Sequence, residues 1–172
     1  YCAYKLYING KLECSNGEIS TSKKGFKPYW EYKSVDIDHG IDTLHITLQI
    51  ANFAHVKGGI TKHLVIGEKA TIMLGRNQTE AIDLLLTGCL LMSGFYFLGL
   101  YLMGNRDKAV LLFALYSIVY SYRIAGTDNY ILHNVIPELN WHITVRLEYL
   151  SLFLGIGLFS LYTRYLYPKV VN

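Results

Sequence analysis

The sequence predicts a β plus membrane-α chain: a small water-facing β domain over residues 1–75, then three transmembrane helices within 76–172. The leading observation is a change of hydrophobic period near Arg76. Before it, apolar and polar residues alternate, as in Leu44-His45-Ile46-Thr47-Leu48-Gln49-Ile50, the pattern of a strand with one buried face. After it come three apolar runs, Leu84 to Met103, Ala109 to Ala125 and Val145 to Leu166, whose length suggests membrane helices. Composition agrees, since 52% of the chain is apolar and 15 of its 172 residues are tyrosine. Tyrosine favours membrane interfaces because its ring has an apolar body and a wettable tip. A net charge of +3 with no basic cluster excludes nucleic acid as a partner. No charged and apolar leader precedes Tyr1, and the chain stops just after the third run, so both ends are expected to be cut.

The first element is a hairpin from Tyr4 to Cys14. Asn9-Gly10 between apolar-rich runs is a strong hairpin signal, because Gly takes positive φ without a Cβ clash. A two-residue turn would set Ile8 against Lys11 and Leu6 against Glu13, mixing the faces. A three-residue loop sets Leu6 against Leu12, Tyr4 against Cys14 and Lys5 against Glu13, and is the expected form. Cys2 then lies across from Asn16, so Cys2 and Cys14 are expected as free thiols. Cys89, inside the first apolar run, is expected to pack as a small hydrophobe.

Ser15 to Lys27, rich in Ser, Lys and Gly, reads as a long loop. In Pro28-Tyr29-Trp30-Glu31-Tyr32, Tyr29 and Trp30 either form a platform that stacks on a sugar ring or fill a β-sandwich core. Asp36 to Asp42 reads as a turn; its three acids lack the EF-hand calcium spacing. Thr43 to Phe53 is the best strand, with Leu44, Ile46, Leu48 and Ile50 on its buried face. Gly58-Gly59 marks a tight turn or bulge, and Lys62 to Ile66 reads as another strand ended by Gly67. His39, His45, His55 and His63 form no pair with ligand spacing, so neither a metal nor a cofactor is expected.

The membrane helices are expected at about 83–103, 109–125 and 143–166. Asp83 lies at the edge of the first. The polar turn Gly104 to Lys108 is short, so the second helix returns antiparallel; Gly126 to His142 reads as a loop, and Pro168 and Lys169 close the third helix. Arg123, Arg146 and Glu148 fall at similar depth, and an Arg123–Glu148 pair is expected either as a polar coupling relay or as an interfacial structural pair. Ser117, Ser121 and Ala125 recur every fourth residue, as do Ser151 and Gly155 with Gly157 adjacent. Small residues at that spacing let helices approach closely in lipid, so a bundle is expected. Arg106, Lys108, Arg164 and Lys169 on one side against Lys69 and Arg76 on the other support an outward β domain only weakly, and counting Arg123 and Arg146 with the latter removes the difference.

Several phrases carry a family resemblance. Tyr7-Ile8-Asn9-Gly10-Lys11, then Ile50-Ala51-Asn52-Phe53-Ala54-His55 with Gly58-Gly59-Ile60 and Ile66-Gly67, are similar to the extracellular domain of bacterial seven-transmembrane receptors with diverse intracellular signalling modules. Arg146-Leu147-Glu148-Tyr149-Leu150-Ser151 resembles the membrane region of the same family. The resemblance implies a partial jelly-roll, galactose-binding-like β-sandwich, like the sugar-binding domains of family 2 glycosidases and lacking its first strands. It also implies the first three of seven helices, and a histidine kinase or diguanylate cyclase after the last one. Asn52 and His55 join Tyr29 and Trp30 as candidate ligand-binding residues.

The function this implies is a receptor of the bacterial inner membrane, multi-pass, with its N-terminal domain extracytoplasmic. Its partners would be a small carbohydrate-like ligand, the lipid bilayer and a second copy in a homodimer. The chain itself is not expected to be an enzyme, since glycoside hydrolysis needs two carboxylates flanking the bond and no such pair is recognisable. The alternatives are a membrane-anchored carbohydrate-binding accessory module and a transporter subunit; a transporter calls for broken helices, and the three runs are largely unbroken.

Overall fold

Asn9 and Gly10 close the first hairpin as a two-residue turn, with φ of 49° and 82°. Both are left-handed, the mirror-image turn geometry that matches the twist of paired strands. The computed structural model describes residues 2–37, 40, 42–56, 58–59, 63–104, 106–127, 129–136 and 139–167. In it β1 (Ala3–Ile8) pairs antiparallel with β2 (Lys11–Asn16). Ile8 faces Lys11 and Tyr7 faces Leu12; then a bulge at Glu13 shifts the register, so that Leu6 faces Cys14, Lys5 faces Ser15 and Tyr4 faces Asn16. The expected three-residue loop and its pairs are thereby corrected. Asn tolerates the left-handed region, so the tight turn forms, and the bulge restores the facial match that a plain two-residue hairpin would lose. Glu13, displaced from Lys5, takes Lys11 Nζ at 3.0 Å.

β3 (Ile46–Ala51) lies along the other edge of β1, giving the order β2-β1-β3. Tyr4 faces Ile50, Leu6 faces Leu48 and Ile8 faces Ile46, so these six side chains share one face. Lys5, Tyr7, Thr47 and Gln49 share the other, where the Tyr7 hydroxyl donates to Gln49 Oε1 at 3.3 Å. The expected alternation is present, but the expected burial is not: Ile46 and Ile50 stay 39% and 40% exposed. Among the described residues there is one three-stranded layer, whereas a sandwich buries such a face against a second sheet. The expected strand at Lys62 to Ile66 is also corrected, since His63 to Ile66 are outside any strand and Leu64, Val65 and Ile66 are exposed. Alternation makes a strand only where a neighbour offers a ladder to join. Lys62 itself, like Asp38 and His39 of the expected turn, lies outside the described residues.

The segment after β2 is folded rather than a free loop. Asn16, buried, donates from Nδ2 to the Tyr29 carbonyl at 3.0 Å. Glu18 and Lys27 exchange two main-chain hydrogen bonds and an ion pair of 2.6 Å. Gly17 makes that closure possible: its φ is 68°, and a Cβ there would collide with the Lys27 carbonyl. This brings Phe26 and Trp30 into the core with Ala3.

The chain divides into two compact units, Tyr1–Leu74 and Gly75–Asn172. α1 (Lys69–Leu102) runs through the division as one helix of 34 residues, about 51 Å long at 1.5 Å per residue. It starts earlier than the apolar run because its polar first part contains no proline and is braced by an Arg76–Glu80 pair one turn apart, Nε to Oε1 2.6 Å. α2 (Lys108–Gly126) is capped by Asp107, whose carboxylate accepts from Ala109 N at 2.9 Å. The loop expected over Gly126 to His142 contains a short helix, α3 (Ile131–Val135), which buries Ile131 and His133. Asp128 and Glu138 lie outside the described residues. α4 (Trp141–Leu166) is capped by Asn140, accepting from His142 N at 2.9 Å. α1, α2 and α4 are each long and apolar enough to cross a membrane.

α2 and α4 pack along their length, antiparallel, with Phe113 against Tyr162 at 5.6 Å and Tyr116 against Phe159 at 5.5 Å. The stripe of small residues lies in this seam: Ser117, Ser121, Ser151 and Gly155 are buried, while Ala125 is half-buried and Gly157 exposed. α1 meets α2 closely at Gly94. A Cβ there would lie 2.6 Å from Ile118 Cγ1 and 3.1 Å from the Ala114 carbonyl. Phe97 and Phe113 stack edge-on beside it at 5.0 Å. Away from that crossing α1 is open, and Cys89 is exposed rather than packed as expected. Cys2 and Cys14 are free, with Cys2 Sγ 3.6 Å from the Gly59 carbonyl.

Candidate functional site

In the β unit, the residues after β3 form a clamped turn. Asn52 Oδ1 accepts from Ala54 N at 3.2 Å and from His55 N at 3.1 Å, while its Nδ2 donates to the His55 carbonyl at 2.6 Å. Asparagine suits this because one side chain carries both an acceptor and donors. Gly58 packs on the amide, where a Cβ would stand 2.6 Å from Nδ2, and Gly59 turns the chain at φ 92°. The Asn-Phe-x-His-x-x-Gly-Gly stretch thus has a local physical meaning: the Asn52 amide holds main chain on both of its ends.

The four candidate ligand residues are placed unevenly. Trp30 is buried in the core, the second of the two readings open for it. Tyr29 is half-buried and its carbonyl holds Asn16; His55 is half-buried beside Asn52. The accessible rings are instead Tyr32 and Phe53, with Phe53 edge-on to buried Phe26 at 5.7 Å. Sequence reasoning passed over Phe53, although it stands inside the recognised stretch. Under the sheet, burial pushes the Tyr4 hydroxyl up to about 12, with Cys14, Glu31 and Cys2 adding to it. The Cys14 thiol is also raised, first by burial and then by Glu13, against the pull of Lys33. Both groups are therefore held neutral. Among the described residues no three of His, Cys, Asp and Glu are grouped to hold a metal ion.

In the helical unit, Arg123 and Glu148 come together where α2 ends and α4 begins. Arg123 Nη1 donates to the main-chain carbonyl of Glu148 at 3.3 Å, and Ser151 Oγ donates to the same oxygen at 2.9 Å. The acceptor is the backbone, not the carboxylate. Arg146 is exposed on α4 and is not part of this cluster. At the same end, Asn129 Nδ2 donates to Asp83 Oδ2 at 2.6 Å, joining α1 to the chain that leaves α2. At the other end, Lys108 Nζ stands 5.6 Å over the Tyr165 ring.

The sequence of residues 79–171, which holds most of α1 and all of α2 and α4, matches the model of the 7TM diverse intracellular signalling family. The chain belongs to that family. No curated protein and no solved structure matches it. As a member of the 7TM diverse intracellular signalling family, the chain is part of a multi-pass membrane receptor that acts in signalling. The matched span begins within α1, past the β unit, and includes Asp83, Gly94, Arg123, Arg146 and Glu148.

Proposed function

We propose that the chain is the sensing portion of a bacterial inner-membrane receptor. The β unit faces outward, takes a small carbohydrate-like ligand, and its occupancy alters helix packing that a cytoplasmic output module reads. The observation that carries this is the family match laid over three membrane helices, with a separate β unit ahead of them. Coupling of this kind requires the ligand to favour one of two helix arrangements over the other. The Arg123–Glu148 contact, where α2 ends and α4 begins, is the candidate point of change.

Tyr32 and Phe53, rather than Trp30, supply exposed ring faces for a sugar. An enzymatic role for the β unit gains no support from its glutamates. Glu13, Glu18 and Glu31 each lie within 3.0 Å of a lysine, at Lys11, Lys27 and Lys33.

The test uses the full chain in lipid nanodiscs against a glycan array and a panel of free monosaccharides. Saturable binding to one class, weakened in F53A and accompanied by a changed distance between spin labels on α2 and α4, is the expected result. Absence of any binding, together with uptake of labelled sugar by proteoliposomes holding the chain, would show a transporter subunit instead.

A further inference from the structure

An open groove of about 150 Å³ runs along the α2–α4 seam, lined by Tyr116, Tyr120, Arg123, Ser151, Gly155 and Phe159 among others. Ser151 and Gly155, both buried, form its floor. Its walls are aromatic: Tyr116 and Tyr120 stack at 5.4 Å and 21°, and Phe159 lies 5.5 Å from Tyr116. The volume falls below the roughly 300–1,000 Å³ of small-molecule pockets, and the groove is open along its side. That form suits a single chain laid lengthwise.

Depth places the charge. α2 has 19 residues and so spans about 28 Å, close to the roughly 30 Å of a bilayer's hydrocarbon. Arg123 is in its last turn, at headgroup level. Phe159 lies eleven residues beyond Glu148 on α4, about 16 Å deeper, near the bilayer middle. Among the described residues, Arg123 donates one hydrogen bond, 3.3 Å long, to a neutral carbonyl. A guanidinium has more donors than that, in a planar fork that matches a phosphate in two-point fashion.

We propose that this groove seats one anionic phospholipid of the surrounding bilayer. Its phosphate rests on Arg123, and the upper part of one acyl chain lies over Gly155 and along the outer edges of Tyr116, Tyr120 and Phe159, which line the groove. The inference is independent of the ligand taken by the β unit.

The test is native mass spectrometry of the full chain released from micelles containing phosphatidylglycerol or phosphatidylcholine. One phosphatidylglycerol molecule is expected to stay bound in preference to phosphatidylcholine. Arg123→Gln is expected to weaken its retention about fivefold or more and to remove the preference. Gly155→Leu keeps the charge and fills the groove; a Cβ built on Gly155 meets no atom within 4 Å, so the side chain starts into open space, and this variant too is expected to lose the lipid. Equal retention by R123Q and the parent chain overturns the proposal, because Arg123 then only snorkels to the interface. Unchanged retention in G155L overturns it as well, since no chain then lies in the groove. So does a dimer that G155L disrupts, which makes a second copy the occupant. If R123Q does not fold, G155L alone decides.

Discussion

Asn129 donates from its amide to the carboxylate of Asp83 at 2.6 Å, and this bond fastens α1 to the chain leaving α2. Both residues are half-buried at the edge of the apolar run, where an unpaired carboxylate is costly. A double-mutant cycle of D83A and N129A is expected to give a coupling of about 1.5 kcal/mol, at the low end for a hydrogen bond to a charged group. Additive effects of the two changes, read by thermal unfolding in detergent, would show that the bond does not hold α1.

Gly94 is the close-approach residue of the α1–α2 crossing. Gly94→Val places methyl groups where Ile118 and the Ala114 carbonyl already stand, and is expected to cost about 2 kcal/mol through overpacking. A disulfide between cysteines introduced at Phe97 and Phe113 is then expected to form more slowly than in the parent background. Unchanged cross-linking would mean that the crossing does not depend on glycine.

Asn52 is expected to matter for the fold of the β unit rather than for direct contact with ligand. N52D keeps the acceptor for the Ala54 and His55 N–H groups but sets a carboxylate oxygen against the His55 carbonyl. A stability loss of about 1–2 kcal/mol is expected, from one broken bond and one unfavourable contact. Unaltered melting of the β unit in N52D would return Asn52 to the list of ligand contacts.

His133 carries a pH dependence. Burial lowers its pKa below the ordinary 6.5, so between those two values the folded state binds fewer protons than the unfolded state. Its stability contribution is therefore complete above about pH 6.5 and declines as pH falls through that value. Protection factors of the amides in residues 131–136, taken relative to intrinsic exchange at each pH, should fall between about pH 7.5 and about pH 5, and H133Q should flatten that change. Protection that rises on acidification would contradict the burial.

Legibility followed the physics of each signal. The two-solvent division, the three membrane helices and the Ser117, Ser121, Ser151, Gly155 seam rest on periodicity and residue size, which a sequence displays directly. The hairpin register did not show, because a bulge at Glu13 satisfies turn and face together, and only three-dimensional pairing distinguishes it from a longer loop. The polar start of α1 lacks an apolar stripe and was invisible to a period argument, although its Arg76–Glu80 spacing was a helix signal. Gly94 looked like any glycine in an apolar run; its role depends on which residues of α2 lie opposite. The Asn52 stretch was recognisable as a pattern, but its side-chain bonding is a matter of local geometry.

The one close crossing of α1 over α2 gives the helix a mechanical advantage. From Gly75 to Ser93, 19 residues lie before Gly94, and from Phe95 to Leu102 eight lie after it, arms of about 28 and 12 Å. A tilt about Gly94 moves the long arm more than twice as far as the short one, in the opposite sense. Asp83 sits on the long arm, about 16 Å from the fulcrum, where a modest force exerts a large torque. A hydrogen bond at that distance resists such a tilt more than one of equal strength beside Gly94 would.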